Sequence, residues 1–441
     1  MHDVRTANWP QLLWSAKAAR TEDPPISALM SMAMDDPAII NFAAGFVDPL
    51  TLPVDECLEI ARRVLSDRQR GRMALQYDTT IGLKALREEA LRHIESLEGM
   101  SASSMAVGPE HMVITNGSQQ ALYLIAEVLI DPGDIVIAAN PSYFVYTGTL
   151  RSFGARVIAV PADNDGLDVD AAASALDRLD AQGLLNRVKF IYVNSYFDNP
   201  TGCTLSAERR RRLLEIVSRY ARRQRILIVE DAAYRELRYD GDDLPSIKSM
   251  DRHNQLTVLT QTFSKPFAPG LKLGYTLMPA DLAGAVLRQK GNHDFGTSAL
   301  CQHMALEALR DGSYARHVHM LRREYRRKRD AMLAALKRHM PAGCRWTRPA
   351  GGLYVWLELP QTVNTSRAGG VFDSAVRRGV LYVPGECCFQ PDESGHIPRH
   401  HMRLNFGQVD IDSIDEGVRR LSGVVGEALA ACPQRAGSAT S

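Results

Sequence analysis

Lys265 stands in Gln261-Thr262-Phe263-Ser264-Lys265, directly after the apolar run Leu256-Thr257-Val258-Leu259. A strand is expected to run into a turn here. The prolines and glycines of Pro266–Tyr275 mark an irregular connection rather than a helix. A lysine at a strand end can project into a cleft, where desolvation frees its amine for Schiff-base chemistry. Alone it reads as a solvated loop lysine, but other residues change that reading. Gly117-Ser118-Gln119 opens a helical pattern carried on by Ala121, Leu122, Leu124 and Ile125, and donors at a helix N-terminus suit a phosphate. Asp231 follows a buried apolar run, where an unpaired carboxylate is costly, so a protonated ring nitrogen fits it as a partner. Tyr234 and Asn199 can donate to a ring oxygen, and Tyr143 offers a stacking face. Phosphate site, acid, donors, stacking ring and lysine together describe a pocket for pyridoxal 5'-phosphate.

The elements that must position these groups are legible as apolar runs. They are His111–Ile114, Ile135–Ala138, Val157–Val160, Phe190–Val193, Ile226–Val229 and Leu256–Leu259, with helical patterns between them. Such runs suit strands buried on both faces, and helical crossovers imply a mostly parallel, doubly wound sheet flanked by helices. Thr115–Gln119, Asn140–Tyr143, Asp198–Gly202, Glu230–Tyr234 and the Lys265 turn each follow one of these runs. Ligands sit at the carboxyl ends of parallel strands, so these polar clusters are expected to meet at one sheet edge. Beyond about residue 300 come long charged helices, including Tyr325–Leu333, and the strand-like pieces Leu353–Leu357 and Met402–Phe406. The expected α/β architecture is a large cofactor-binding domain over 51–300 and a smaller α+β domain over 301–432. An N-terminal segment, 1–50, packs with the small domain, and 433–441 forms a flexible tail. Arg209–Arg212 reads as the start and outer face of an amphipathic helix capped by Ser206.

Lys plus Arg (52) nearly balances Asp plus Glu (51), so no global field draws nucleic acid or an anionic membrane. No apolar run reaches the length of a membrane span, and the first twenty residues, with Trp9 and Trp14, show no secretory core. The seven cysteines follow no zinc or disulfide spacing, which points to a reducing, cytoplasmic setting without a metal.

The segments Asn199-Pro200-Thr201-Gly202, Asp231-Ala232-Ala233-Tyr234, Ser264-Lys265 and Pro269-Gly270-Leu271-Lys272-Leu273-Gly274 stand in a revealing order. With Phe42-Ala43-Ala44-Gly45 and Arg403-Leu404-Asn405-Phe406-Gly407 they span most of the chain. In this the sequence resembles the fold-type I, pyridoxal-phosphate-dependent aminotransferases of class I/II, most of all their aminoadipate/kynurenine-type branch. The resemblance implies that Lys265 forms a Schiff base with the cofactor and moves the substrate α-proton. Asp231 would pair with the ring nitrogen, Asn199 and Tyr234 would bond the ring oxygen, and Tyr143 would stack. Gly117, Ser118, Gln119, Thr262 and Lys272 would hold the phosphate. Tyr77 would reach the phosphate of a neighbouring subunit in a homodimer. Arg403 would grip the substrate α-carboxylate in a bidentate fork, beside Gly45 and Asn199. The Asn199-Pro200 bond is expected to be cis by the same resemblance.

Three departures from the family pattern stand out. Lys272 replaces the usual arginine, so phosphate is expected to be held less rigidly. Ala44 replaces a glycine and is expected to narrow the substrate entrance. Ile26-Ser27-Ala28-Leu29-Met30 lacks the arginine expected to greet an acidic side chain, which argues against aminoadipate. His293 and Asp294 read as structural polar groups near the pocket. The leading function is amino transfer between an α-amino acid and a 2-oxo acid with ping-pong kinetics. The alternative keeps the cofactor but eliminates, decarboxylates or replaces instead. A non-enzymatic regulator is disfavoured, because the roughly forty residues before Phe42 carry no basic recognition-helix pattern.

Overall fold

A computed structural model describes residues 12–392 and 394–431. The expected flexible tail, 433–441, and Trp9 lie outside the described residues. The first strand, β1 (Ile40–Asn41), is short. Eight strands follow: β2 (Met112–Thr115), β3 (Ile135–Asn140), β4 (Arg156–Asp163), β5 (Gly166–Leu167), β6 (Val188–Asn194), β7 (Leu227–Asp231), β8 (Thr257–Thr262) and β9 (Gly274–Leu277). They form one sheet in the order β2-β9-β8-β7-β6-β3-β4-β5. Pairing is parallel from β8 through β7, β6 and β3 to β4, and antiparallel at β9 and β5. Each apolar run expected as a strand is one. β9 was not expected: Gly274 and Tyr275 belong to the Pro266–Tyr275 stretch expected to be irregular, yet they open a strand paired on both sides, with β2 and β8.

The strands from β2 to β3 in this order are largely buried on both faces, so they alternate between two cores rather than between core and water, whereas β4, expected to be buried likewise, lies toward the sheet's end with Arg156, Pro161 and Asp163 exposed. Ile135 and Ile137 of β3 pack with helices Val169–Ala181 and Ala207–Tyr220. Val136 and Ala138 pack on the other side with helices Gly117–Leu129, Phe144–Phe153 and Ala280–His293. Ser206 caps its helix, its side chain accepting from Arg209 N at 3.4 Å. The outer-face expectation for this helix needs one correction. Arg211 and Arg212 are exposed, but Arg210 is wholly buried. Its guanidinium donates to the carbonyls of Leu205, Pro245 and Ser195 at 2.8, 2.9 and 2.7 Å and lies over the Tyr196 ring. A buried arginine is tolerable when its donors are satisfied, and here backbone carbonyls converge on it.

The second sheet belongs to the C-terminal part. β10 (Arg345–Trp346), β11 (Tyr354–Glu358), β12 (Val380–Leu381), β13 (Val383–Pro384) and β14 (His401–Asn405) follow the long helix Ser313–His339. The order β10-β11-β14-β13 is antiparallel throughout, and helices Ser313–His339 and Ile411–Ala431 pack against each other beside it. β12 pairs in parallel with β1. The N-terminal segment touches both parts: β1 joins the small sheet's side, while helix Ala16–Arg20 lies on helix Phe144–Phe153. There Lys17 Nζ donates to Tyr123 Oη at 2.5 Å and Arg20 Nε to the Ser152 carbonyl at 3.3 Å. No helix among the described residues is long and apolar enough to cross a membrane.

Candidate active site

The parallel strands β3, β6, β7 and β8 end in Asn140, Asn194, Asp231 and Thr262, all at one edge of the sheet. Beyond that edge lies a cavity of about 350 Å³. Gly45, Gly117, Ser118, Gln119, Tyr143, Asn199, Asp231, Tyr234, Thr262, Lys265, Lys272 and Arg403 all line it. The polar clusters expected from sequence thus meet in one place.

One end of the cavity is built for an anion. The helix Gly117–Leu129 has no side-chain cap, because Asn116 turns its amide to Asp294 Oδ2 at 2.8 Å. Its first-turn N–H groups therefore lack a side-chain acceptor, and the helix dipole adds a partial positive charge there. Gly117 has φ 74°, a left-handed conformation that glycine adopts without strain. Gly274 admits the close approach of β9, since a Cβ there would sit 2.8 Å from Ser118 N. Thr262 Oγ1 and Ser264 Oγ stand 2.9 Å apart on the facing turn, and Lys272 brings a cation.

At the cavity floor Asp231 is buried at the end of β7. Burial raises its carboxyl to about 6, although Tyr192 Oη donates to Oδ2 at 3.0 Å and the Ala233 amide to Oδ1 at 3.1 Å. A buried carboxylate held by neutral donors is short of a cationic partner. Tyr143 Oη lies 3.4 Å from Gln119 Oε1 across the mouth. Lys265 Nζ donates to the Gly45 carbonyl at 2.8 Å. Desolvation lowers its amine below the usual lysine range, and the charges of Arg403 and Lys272 act in the same direction. Burial pushes the Tyr234 hydroxyl well above the ordinary phenol range.

Arg403, on β14, is 2% exposed. Its Nη1 donates to Asn199 Oδ1 at 2.8 Å and its Nη2 to the Ala43 carbonyl at 2.6 Å. Its Nε is buried without a partner, an arrangement suited to a further anionic acceptor.

Several expectations take a different form. The Asn199-Pro200 bond is trans, the lower-energy isomer, and in this geometry Asn199 reaches Arg403; the one cis bond among the described residues is Asn140-Pro141. Ala44 does not narrow the entrance. It is buried, and its carbonyl accepts from the Asn405 amide, so Gly45 forms the wall instead. Tyr77 stands apart from this cavity, 82% exposed and edge-on to Phe295. His293 and Asp294 act behind the wall, where Asp294 accepts from Asn116, Gln120 and Lys290. Sequence reasoning missed Tyr354, Ile26, Phe144, Val145 and Asn194 as lining residues, and Tyr192 as the partner of Asp231. Tyr354 and Tyr192 stood inside apolar runs, where an aromatic side chain reads as core.

The unpartnered helix end, the buried carboxyl short of a cation and the free Nε of Arg403 fit a phosphorylated, cationic ring and a carboxylate substrate. The family model described as aminotransferase class I and II matches residues 37–421. The 2-aminoadipate transaminase of Thermus thermophilus is 34% identical, over 92% of this chain and 94% of that protein. The multiple substrate aminotransferase from Thermococcus profundus superposes with a TM-score of 0.86 at 35% identity, covering 95% of this chain and 98% of that one. The Pyrococcus horikoshii kynurenine aminotransferase, solved in complex with PMP, gives 0.85 at 32% identity, covering 94% and 97%. These likenesses favour amino transfer over elimination or decarboxylation. The chain belongs to the class I and II aminotransferases and is a pyridoxal-phosphate-dependent transaminase.

Proposed function

We propose that this transaminase acts on α-amino acids with apolar or aromatic side chains, with Lys265 as covalent anchor and proton carrier. The observation that carries the reading is the meeting of Lys265, Asp231, Asn199, Tyr234 and Arg403 around one cavity. Bound pyridoxal phosphate supplies an electron sink for the substrate's Cα electrons. The rest falls to the protein. The Gly117–Gln119 amides, Thr262 and Lys272 hold the phosphate. Asp231, once given a cationic partner, stays ionised and keeps the ring nitrogen protonated. Tyr143 stacks on the ring, and Asn199 and Tyr234 donate to its oxygen. Lys265 Nζ, its basicity lowered by desolvation, would take the substrate α-proton and carry it within the site. Arg403 orients the substrate through its carboxylate. Ile26, Phe144, Val145 and Tyr354 supply apolar wall, and Lys265, Lys272 and Arg403 are the lysines and arginines that line the cavity among the described residues. That wall supports an apolar side chain over an acidic one.

The chain reads as a homodimer with shared sites. Tyr77 is exposed, and Leu50, Leu75 and Met73 are likewise exposed apolar residues. The division into a large cofactor-binding domain over 51–300 and a small domain over 301–432 is part of this reading, with the N-terminal segment serving both, through helix Ala16–Arg20 and through β1. The six free cysteines among the described residues support a cytoplasmic setting.

The test is absorbance of the protein loaded with pyridoxal phosphate, titrated with single amino acids and no keto acid. Stoichiometric conversion of the visible band by phenylalanine, tyrosine or leucine, and weaker conversion by aminoadipate, is expected. Lys265→Ala should abolish it. Conversion by acidic donors alone would overturn the substrate class, and turnover of Lys265→Ala within tenfold of wild type would overturn the anchor.

A further inference from the structure

We propose that Tyr354 is a positioning residue for the reaction. Its hydroxyl polarises the Tyr234 hydroxyl toward the cofactor's ring oxygen, and its ring steadies the Arg403 guanidinium for the substrate carboxylate. This rests on the roles given to Tyr234 and Arg403 above.

Tyr354 lies on β11, buried at 1% exposure between Leu353 and Val355. A phenylalanine would fill the same apolar space, so the hydroxyl calls for a separate reason. Burying a hydroxyl is costly unless it is bonded. Its bond is to Tyr234 Oη at 2.9 Å, with the two rings edge-on at 5.6 Å and 79°. A phenol carries one hydrogen. If Tyr234 donates that hydrogen to the ring oxygen, Tyr354 must donate to Tyr234. Hydroxyls linked in series strengthen one another in a low-dielectric setting.

The ring of Tyr354 also carries the Arg403 contact, with the guanidinium carbon 4.4 Å from the ring centroid. Asn199 and Ala43 hold two of the guanidinium nitrogens, so the aromatic face constrains the remaining freedom of the group. Gly45 leaves room for the arrangement. A Cβ at that position would stand 2.7 Å from Tyr354 Oη, inside any tolerable contact. The Gly45 carbonyl in turn accepts from Lys265. One side chain therefore touches the groups assigned to the ring oxygen and to the substrate carboxylate, and abuts the residue that holds the reactive amine.

The titratable and charged groups facing the tyrosine pair come from four other elements. They are Tyr143 before helix Phe144–Phe153, Asp231 on β7, Lys265 and Lys272 on the turn after β8, and Arg403 on β14. Tyr354→Phe alters none of them, so a spectral shift in that variant reports the hydroxyl.

The experiment is a pH titration of the visible absorbance of the protein loaded with pyridoxal phosphate, for wild type, Tyr354→Phe, Tyr234→Phe and the double variant. A bond to the ring oxygen stabilises its anion and so holds the midpoint down. Tyr234→Phe should raise the midpoint by roughly one unit or more, and Tyr354→Phe by roughly half a unit. The double variant should move no further than Tyr234→Phe alone, because Tyr354 acts through Tyr234. Tyr354→Phe should leave the amino-acid KM within about twofold, whereas Tyr354→Leu, which removes the aromatic face, should raise it about tenfold. A shift in Tyr234→Phe with none in Tyr354→Phe, or additive shifts, overturns the hydroxyl relay and leaves the function proposed above intact. An unchanged KM in Tyr354→Leu overturns the Arg403 role. No shift in Tyr234→Phe overturns the assignment of Tyr234, and the relay falls with it.

Discussion

Asp231→Asn probes the electrostatic heart of the site. In the cofactor-free protein, burial raises the Asp231 carboxyl from 3.8 to about 6, against the opposing bond from Tyr192. A carboxyl raised in this way binds its proton more tightly folded than unfolded. The stability this contributes is complete below 3.8 and is lost as pH rises through about 6. A gap of about two units corresponds to ~3 kcal/mol. Asparagine has no such dependence. Over 441 residues, with unfolding entropy of ~2 cal/mol/K per residue, that difference is a Tm change of about 3 °C. Calorimetry of both cofactor-free proteins from about pH 4 to about pH 8 should show wild type losing this much relative to Asp231→Asn, mostly before about pH 6. Asp198, raised to about 7 by its own burial, titrates in both proteins and largely cancels in the difference. Loading the cofactor should reverse the balance, because the ring nitrogen then gives Asp231 its cation. The variant should bind pyridoxal phosphate about 10- to 100-fold more weakly, the equivalent of one charge-assisted bond. Parallel melting curves for the two cofactor-free proteins would refute the claim that burial governs this carboxyl. Equal cofactor affinity would refute its pairing with the ring.

Arg403→Lys keeps the charge but loses the fork, so the amino-acid KM should rise about 10- to 100-fold while the cofactor spectrum stays unchanged; steady-state kinetics and absorbance check this. Lys272→Arg should tighten pyridoxal phosphate binding several-fold in a fluorescence titration, since a planar fork matches phosphate better than a point charge. Arg210→Ala should cost about 3–5 kcal/mol in denaturant unfolding. It removes the side-chain donor from the carbonyls of Leu205 and Pro245, leaves Ser195 O with the Leu205 amide alone, and leaves Glu230, 3.7 Å away, without its cation.

Much of this molecule can be read along the chain. Buried parallel strands leave continuous apolar runs, and the residue after each run must stand at the sheet edge where ligands bind. That local logic is enough to name Lys265, Asp231, Tyr234 and Ser118, and to expect them together. It also yields the mostly parallel sheet, because helical patterns between strands permit little else. What it cannot yield are relations between residues far apart in sequence. Tyr354 and Tyr234 are 120 positions apart, and nothing local distinguishes a core tyrosine from one bonded across a cavity. The same holds for Tyr192 beneath Asp231. Arg210 was read as a solvated arginine because helical periodicity says which face is polar, but not that three backbone carbonyls come to meet it. Ile26 needed helix Pro25–Asp35 to be brought against the cavity before it could count as a wall. Chemistry-bearing residue types and their spacing were therefore determined by the sequence itself. Which neighbours tune them was decided by tertiary packing, since desolvation and hydrogen bonding depend on distances that only the folded chain sets.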